Sequence, residues 1–147
     1  MTVPGYLRRL VTERARARCE YCGLAQAGQE AAFHIDHVVP VAAGGETSVD
    51  NLALACVSCS LRKGARQRAP DPMTGQDQDL FNPRRERWSR HFSWNGTAID
   101  PTTPTGRCTT EALKLNRPMA LAIRLEEQLR GRHPPPDQPA DEDEGKR

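Results

Sequence analysis

Two short cysteine motifs, CEYC at residues 19–22 and CVSC at residues 56–59, lie 33 residues apart in this chain. In each motif, two residues between the cysteines let a tight turn present both sulfurs to one ion. Together the two turns offer a tetrahedral shell of four sulfurs, which favours Zn²⁺. Because such a shell leaves no open position, the predicted zinc is structural. A redox-active cysteine pair and a chance pairing are the other interpretations of this spacing.

The length of 147 residues fits one ordinary domain, or a small domain with an appendage. The net charge is +2, but it is unevenly distributed, since residues 1–133 hold 19 basic and 14 acidic residues and residues 134–147 hold 2 and 5. No apolar stretch approaches the roughly 18 residues needed to span a bilayer, and no signal peptide is evident. We therefore expect a cytoplasmic protein without a membrane partner, in which cysteines stay reduced.

The first half of the chain predicts the order helix, strand, long loop, strand, helix. A helix is predicted over residues 2–18, and short strands over 31–37 and 52–55. The loop between the strands contains a proline and two glycines. A second helix is predicted to begin near residue 58 and to end near Gly64 or Arg68.

The second half predicts a different arrangement. Residues 70–83 are interpreted as a linker or an ordered arm, and Asn95-Gly96 predicts a hairpin turn. Residues 106–130 are predicted to be helical, with Thr109 or Thr110 as the cap and a break at Pro118. The apolar face of these helices is expected to come from Leu113, Leu121, Leu125 and Leu129.

Aromatic residues of the second half, Trp88, Phe92 and Trp94, alternate with arginines. This pattern is typical of a nucleic-acid surface, but it also suits a small core with arginines around its rim. We favour the core, since so short a segment needs one.

The segment between the cysteine pairs contains residues suited to catalysis. The stretch HIDHVVP covers residues 34–40, and the second strand begins after Asp50 and Asn51. Asp36 is a hard oxygen ligand for a divalent cation, and the imidazole of His37 can take a proton from water near neutral pH. A carboxylate and an imidazole side by side thus supply two functions of a hydrolase.

Taken in order, the motifs CEYC, HIDHVVP, a Gly-Gly pair followed by DNL, and C-x2-C-x3-KG resemble the zinc-containing HNH endonucleases. The resemblance is close over residues 15–66, and residues 80–130 are similar to the C-terminal extension of one bacterial subgroup. It implies an α+β fold, in which a small ββα-metal core holds a zinc site of four cysteines, Cys19, Cys22, Cys56 and Cys59. A hairpin and helices would form the extension.

The resemblance also implies a role for each residue of the motif. Asp36 would bind a catalytic Mg²⁺ or another divalent cation, His37 would be the general base, and Asn51 would brace the loop between the strands. Ser60 stands where the family has an Asn or His as second metal ligand, and a serine hydroxyl is a weaker ligand than either. His34 is a possible additional ligand, since it shares a strand face with Asp36.

Three segments follow from these assignments: an HNH core over residues 1–69, an extension over 70–131, and a disordered acidic tail over 132–147. The core holds nine basic and six acidic residues. The expected partner is DNA, with its phosphates bound by Arg62, Lys63, Arg66 and Arg68. The predicted activity is metal-dependent hydrolysis of DNA phosphodiester bonds. The alternatives are a catalytically weak zinc module that binds DNA and a zinc scaffold that recruits a protein.

Overall fold

The computed structural model describes residues 2–136, which form five α-helices and three two-stranded antiparallel sheets. The helices are α1 (Gly5–Arg14), α2 (Val57–Lys63), α3 (Trp88–His91), α4 (Pro104–Ala112) and α5 (Pro118–Leu129). The strands are β1 (His34–His37), β2 (Leu52–Ala55), β3 (Arg68–Pro70), β4 (Asp77–Asp79), β5 (Phe92–Asn95) and β6 (Ala98–Pro101). This α+β composition is the one that the sequence predicts.

The first sheet and α2 form the predicted ββα unit. β1 pairs with β2 in an antiparallel register that places His34 opposite Ala55 and His37 opposite Leu52. All four side chains of β2 are buried, as expected for a continuous apolar strand covered on both faces. α2 begins at Val57, two residues after the last residue of β2, and is capped by Gly64, and the helix packs against both β1 and β2.

One hydrophobic core joins the two halves of the chain. Phe92 is buried in the same core as the four clustered cysteines and the first helix, and Trp88 and Trp94 are half-buried against that core. The rings of Trp88 and Trp94 stack with centroids 4.8 Å apart. The interpretation of these aromatic residues as core is therefore confirmed, and the core they join is shared with residues 1–69. The buried side chains from the two halves include Leu7, Val11, Leu52, Leu54, Phe81, Ile99, Leu113 and Leu115.

Both hairpins lie in the second half of the chain. The predicted turn at Asn95-Gly96 is found one residue later, because Asn95 pairs with Ala98 and leaves Gly96 and Thr97 as the loop. Residues 70–83, interpreted as a linker or an ordered arm, are ordered: they hold the turn and β4 of another hairpin, whose first strand β3 begins at Arg68. Its turn is fixed by Asp71, whose buried carboxylate accepts two hydrogen bonds from Arg107, at 2.9 and 2.7 Å. This bidentate pair joins the hairpin to α4.

The helices of the extension divide at Pro118, as predicted, but two details of the prediction are wrong. The cap of α4 is Thr103, whose hydroxyl accepts a hydrogen bond from the Gly106 amide; Thr109 lies inside the helix and bonds to the Phe81 amide. Of the predicted apolar face, Leu113 is buried and Leu121 half-buried, whereas Leu125 and Leu129 are exposed; α5 buries Ala120 and the charged Arg124 and Glu127 instead.

The two buried charged side chains of α5 each have partners in the surrounding structure. Arg124 donates hydrogen bonds to the carbonyls of Thr97 and Leu115, and Glu127 pairs with Arg132 at 2.8 Å. Buried charges are stable only when paired or hydrogen-bonded, and these contacts meet that requirement for Arg124 and Glu127. Hydrophobic spacing alone does not reveal such partners.

The start of the predicted acidic tail packs on the folded body. The ring of His133 is buried, contacts Trp94 edge-on at 4.7 Å between centroids, and is 2.9 Å from the Gly96 carbonyl. The remaining residues of the tail, 137–147, lie outside the described residues. The segment 132–136 is therefore part of the packed structure.

Candidate metal centre and nuclease cleft

Four cysteines from the two motifs converge in the interior. All four are buried, and the sulfurs of Cys19, Cys22, Cys56 and Cys59 lie within 4.8 Å of one another. The sulfurs of Cys22 and Cys56 are 3.7 Å apart. Two sulfurs bound tetrahedrally to zinc at about 2.3 Å lie roughly 3.8 Å apart, so this spacing matches that of a closed zinc shell.

The protein supports these sulfurs with backbone and side-chain hydrogen bonds. The amide of Cys22 points to the sulfur of Cys19 at 3.5 Å, and the amide of Cys59 points to that of Cys56 at 3.4 Å. Hydrogen bonds from the other three sulfurs lower the pKa of the Cys56 thiol, while burial raises the pKa of Cys19. Four converging cysteine sulfurs are the ligand set that structural Zn²⁺ sites use.

A cavity of about 550 Å³ opens beside the β1–α2 junction. It brings together side chains from three parts of the chain: His34, Asp36 and His37 from β1, Ser60 from α2, and Arg8 from α1. The first four of these are residues to which the sequence assigns catalytic or metal-binding roles. The structure therefore gathers them at one cleft.

His37 is half-buried in this cleft and has a fixed orientation. Its Nε2 is 2.9 Å from the hydroxyl of Thr47, in the loop between the strands. That loop is held by Asn51, whose side chain accepts a hydrogen bond from the Val39 amide and donates to the carbonyls of Val39 and Glu46, each at 2.9 Å. Asn51 thus braces the loop that carries the partner of His37.

His34 and Ser60 meet across the cleft. Nδ1 of His34 is 2.9 Å from the Ser60 hydroxyl, and both side chains are half-buried. An imidazole nitrogen and a hydroxyl oxygen are ligands that a divalent cation accepts, with a preference for metals that bind nitrogen well. These two side chains, with Asp36, form the donor set that could hold a cation in the cleft.

Asp36 is already engaged by the protein. Its carboxylate, 8% exposed, accepts a hydrogen bond from the Tyr21 hydroxyl at 2.8 Å and lies 3.2 Å from the ammonium of Lys63. Burial, and next the charge of Asp36, raise the pKa of Tyr21 well above its ordinary value, so Tyr21 remains a hydrogen-bond donor. A carboxylate offers about four lone-pair positions, which leaves room for a cation beside these two partners.

The four predicted phosphate-binding residues do not form one patch. Arg62 and Arg66 are exposed on or just after α2, but Arg68 is paired with Asp79 at 2.5 Å. Lys63 is only 2% exposed, with its ammonium directed inward. Lys63 therefore does not share the exposed surface of α2 on which Arg62 lies.

Sequence reasoning missed three residues of the site. Tyr21 lies between two zinc-ligand candidates and was interpreted only as spacing, Thr47 lies in a polar loop, and Arg8 belongs to a helix far from the motif. A tyrosine inside a cysteine turn was the one available signal, since buried tyrosine hydroxyls usually find a partner. The contacts of Thr47 and the position of Arg8 depend on tertiary folding.

A two-stranded sheet and a helix around paired cysteine turns, with a histidine at the strand end, define the class of ββα-metal proteins. A family model described as HNH endonuclease matches residues 19–66. Residues 19–66 are thus similar to the HNH endonucleases, as the order of the motifs predicts, and members of that family are generally nucleases. No curated protein matches the chain. Among the described residues, no helix has the length and apolar character to cross a membrane.

Proposed function

We propose that the protein is a metal-dependent endonuclease that hydrolyses DNA phosphodiester bonds. The observation that supports this most is the single cleft that gathers His37, His34, Ser60 and Asp36 at the β1–α2 junction of an HNH domain. In this proposal the four cysteines hold a structural Zn²⁺. A reducing cytoplasm, in which thiols persist, suits these unpaired cysteines.

His37 acts as the general base in this mechanism. With the Thr47 hydroxyl accepting from Nε2–H, the imidazole keeps the lone pair of Nδ1 to take a proton from the attacking water. Asn51 maintains the loop and hence the position of Thr47. A divalent cation, which Asp36, His34 and Ser60 would hold, would neutralise negative charge on the phosphate.

Exposed arginines in the cleft and on or just after α2 suit the phosphates of the substrate. Arg8 lines the cavity itself, and Arg62 and Arg66 lie exposed at α2. Contacts of this kind are independent of sequence and weaken with added salt. The arginine contacts orient the duplex, and His37 carries out the proton transfer.

The His37→Ala variant is expected to nick plasmid DNA about 10²- to 10⁴-fold more slowly than the wild type, since that is the usual contribution of a general base. The assay uses purified protein with added Mg²⁺ or Mn²⁺ and saturating DNA. Zinc content, melting temperature and DNA affinity are measured in parallel and should match the wild type. An unchanged nicking rate in a folded, zinc-loaded His37→Ala protein would refute this mechanism.

A catalytically weak DNA-binding module is the second candidate function. It is favoured by Ser60, a poorer ligand than asparagine, and by the ammonium of Lys63 beside Asp36, which reduces the attraction of that carboxylate for a cation. In this case a salt-dependent gel shift would appear without cleavage.

Replacing Ser60 by asparagine separates the two candidates. Because an amide carbonyl is the better oxygen ligand, Ser60→Asn is expected to raise the cleavage rate at limiting Mg²⁺ or Mn²⁺ by about ten-fold, the scale on which changes around metal ligands act. Ser58→Asn, two residues earlier on the same helix, serves as the matched control. Equal rates for wild type and Ser60→Asn would show that residue 60 does not limit cation binding.

A further inference from the structure

Lys63 is the most completely buried charged side chain beside the cleft. It lies in the last turn of α2 and is 2% exposed. Its ammonium is 3.2 Å from Asp36 Oδ2 and donates to the carbonyl oxygens of His37 and Val38, each at 3.2 Å. An ammonium has three N–H donors, so these three acceptors satisfy it fully.

The three acceptors are all at the end of β1, where the proposed general base lies. Lys63 donates hydrogen bonds to the carbonyls of His37 and Val38. The next residue, Val39, is hydrogen-bonded through both its amide and its carbonyl to the side chain of Asn51. The main chain that carries His37 is thus fixed from α2 on one side and from the loop on the other. Burying an ammonium costs free energy unless it is paired and hydrogen-bonded. Here all the contacts that offset this cost are with residues at the end of β1.

We propose that Lys63 is a positioning residue, which fixes His37 through its own carbonyl, that of Val38 and the Asp36 carboxylate, and does not contact DNA. The inference rests on the proposed function for its catalytic consequence, while the placement of His37 is independent of it. A phosphate would have to displace three hydrogen bonds to reach this ammonium. The neighbouring Arg62, by contrast, is exposed on the same helix.

The test compares Lys63→Met with Arg62→Met as a matched loss of one basic residue from α2. For Lys63→Met we expect turnover at saturating DNA to fall by on the order of 10²-fold, the usual effect of a small misplacement of a catalytic group. DNA affinity and its salt dependence should stay unchanged. For Arg62→Met, the slope of log affinity against log salt should decrease by about 0.9, the loss of one phosphate contact.

A spectroscopic readout reports on His37 without requiring activity. The chain has four histidines, so the ring signals of His37 are assigned by their absence from the spectrum of His37→Ala. These signals should shift in Lys63→Met and stay in place in Arg62→Met. If the wild type does not cleave DNA, the proposed function fails, and the His37 signals and the salt slopes still test the placement.

Two results would overturn the inference. One is a decrease in salt slope for Lys63→Met as large as that for Arg62→Met, which would make Lys63 a phosphate contact. The other is a Lys63→Met protein whose turnover and His37 signals equal those of the wild type. Should Lys63→Met not fold, the double variant Asp36→Asn/Lys63→Met removes both buried charges; its His37 signals are then compared with those of Asp36→Asn alone, and its salt slope with that of the wild type, with the same two results overturning the inference.

Discussion

Removal of zinc from the four-cysteine cluster is expected to unfold the whole described chain. Structural zinc sites contribute about 10–16 kcal/mol of apparent binding free energy in small domains, and a domain of this size has a net stability of only about 5–15 kcal/mol. The free energy lost with the ion is therefore larger than the net free energy of unfolding of the domain. Thermal denaturation with and without a strong chelator measures the effect, and the cooperative transition should disappear.

The structure provides a direct optical probe of this unfolding. The chain has two tryptophans, and both contact the first cysteine turn. Trp88 donates its indole N–H to the Tyr21 carbonyl at 2.9 Å, and the ring of Trp94 lies against Gly23. Because both tryptophans belong to the extension, a change of their emission on chelation reports that the extension loses its packing together with the zinc site.

Two cysteine variants make the experiment specific. Cys59→Ser removes one of the four clustered sulfurs and should lower zinc content below one ion per chain and abolish the transition. Cys108→Ser changes a buried thiol outside the cluster and should keep one zinc. A Cys59→Ser protein that retains one tightly bound zinc and the wild-type transition would contradict the assignment.

Local patterns determine most of what could be predicted from the sequence. The two C-x2-C turns, the continuous apolar run of β2 and the break at Pro118 each depend on a few neighbouring residues, and each is found where predicted. The HNH domain also follows from short motifs in a fixed order. Such features need no knowledge of which distant segments meet.

Distant partners account for what the sequence did not predict. Lys63 was interpreted as a surface residue because lysines usually are, yet its acceptors lie 25 to 27 residues earlier in the chain. For residues 70–83 the sequence left a linker and an ordered arm open, and the arm is fixed by Arg107, which pairs with Asp71 from a helix 36 residues later. A buried charge can be recognised only when its partner is known, and the partner is defined by the tertiary fold.

Two adjacent glycines in the loop between the strands also differ in a way that depends on the tertiary fold. From the sequence alone, both are interpreted simply as loop-forming. Gly44 has φ of +87° and open space around it. A Cβ on Gly45 would instead overlap the Val39 carbonyl oxygen and lie 2.6 Å from the Val39 carbonyl carbon and 2.8 Å from the Asn51 amide nitrogen. Gly45 is therefore required by the brace that Asn51 makes, and Gly44 by the turn alone.

Gly45→Ala is accordingly expected to have a much larger effect than Gly44→Ala. Since the overlapping atoms are backbone, the loop must move, which should lower the free energy of unfolding by about 2–3 kcal/mol. Thr47, the partner of His37, moves with the loop, and turnover should fall by on the order of 10²-fold. Gly44→Ala should cost only about 1–2 kcal/mol for its left-handed conformation, with turnover near the wild-type value. Denaturant unfolding and plasmid nicking are measured for both. Equal losses of activity in the two variants would show that the loop does not act on His37 through the Asn51 brace.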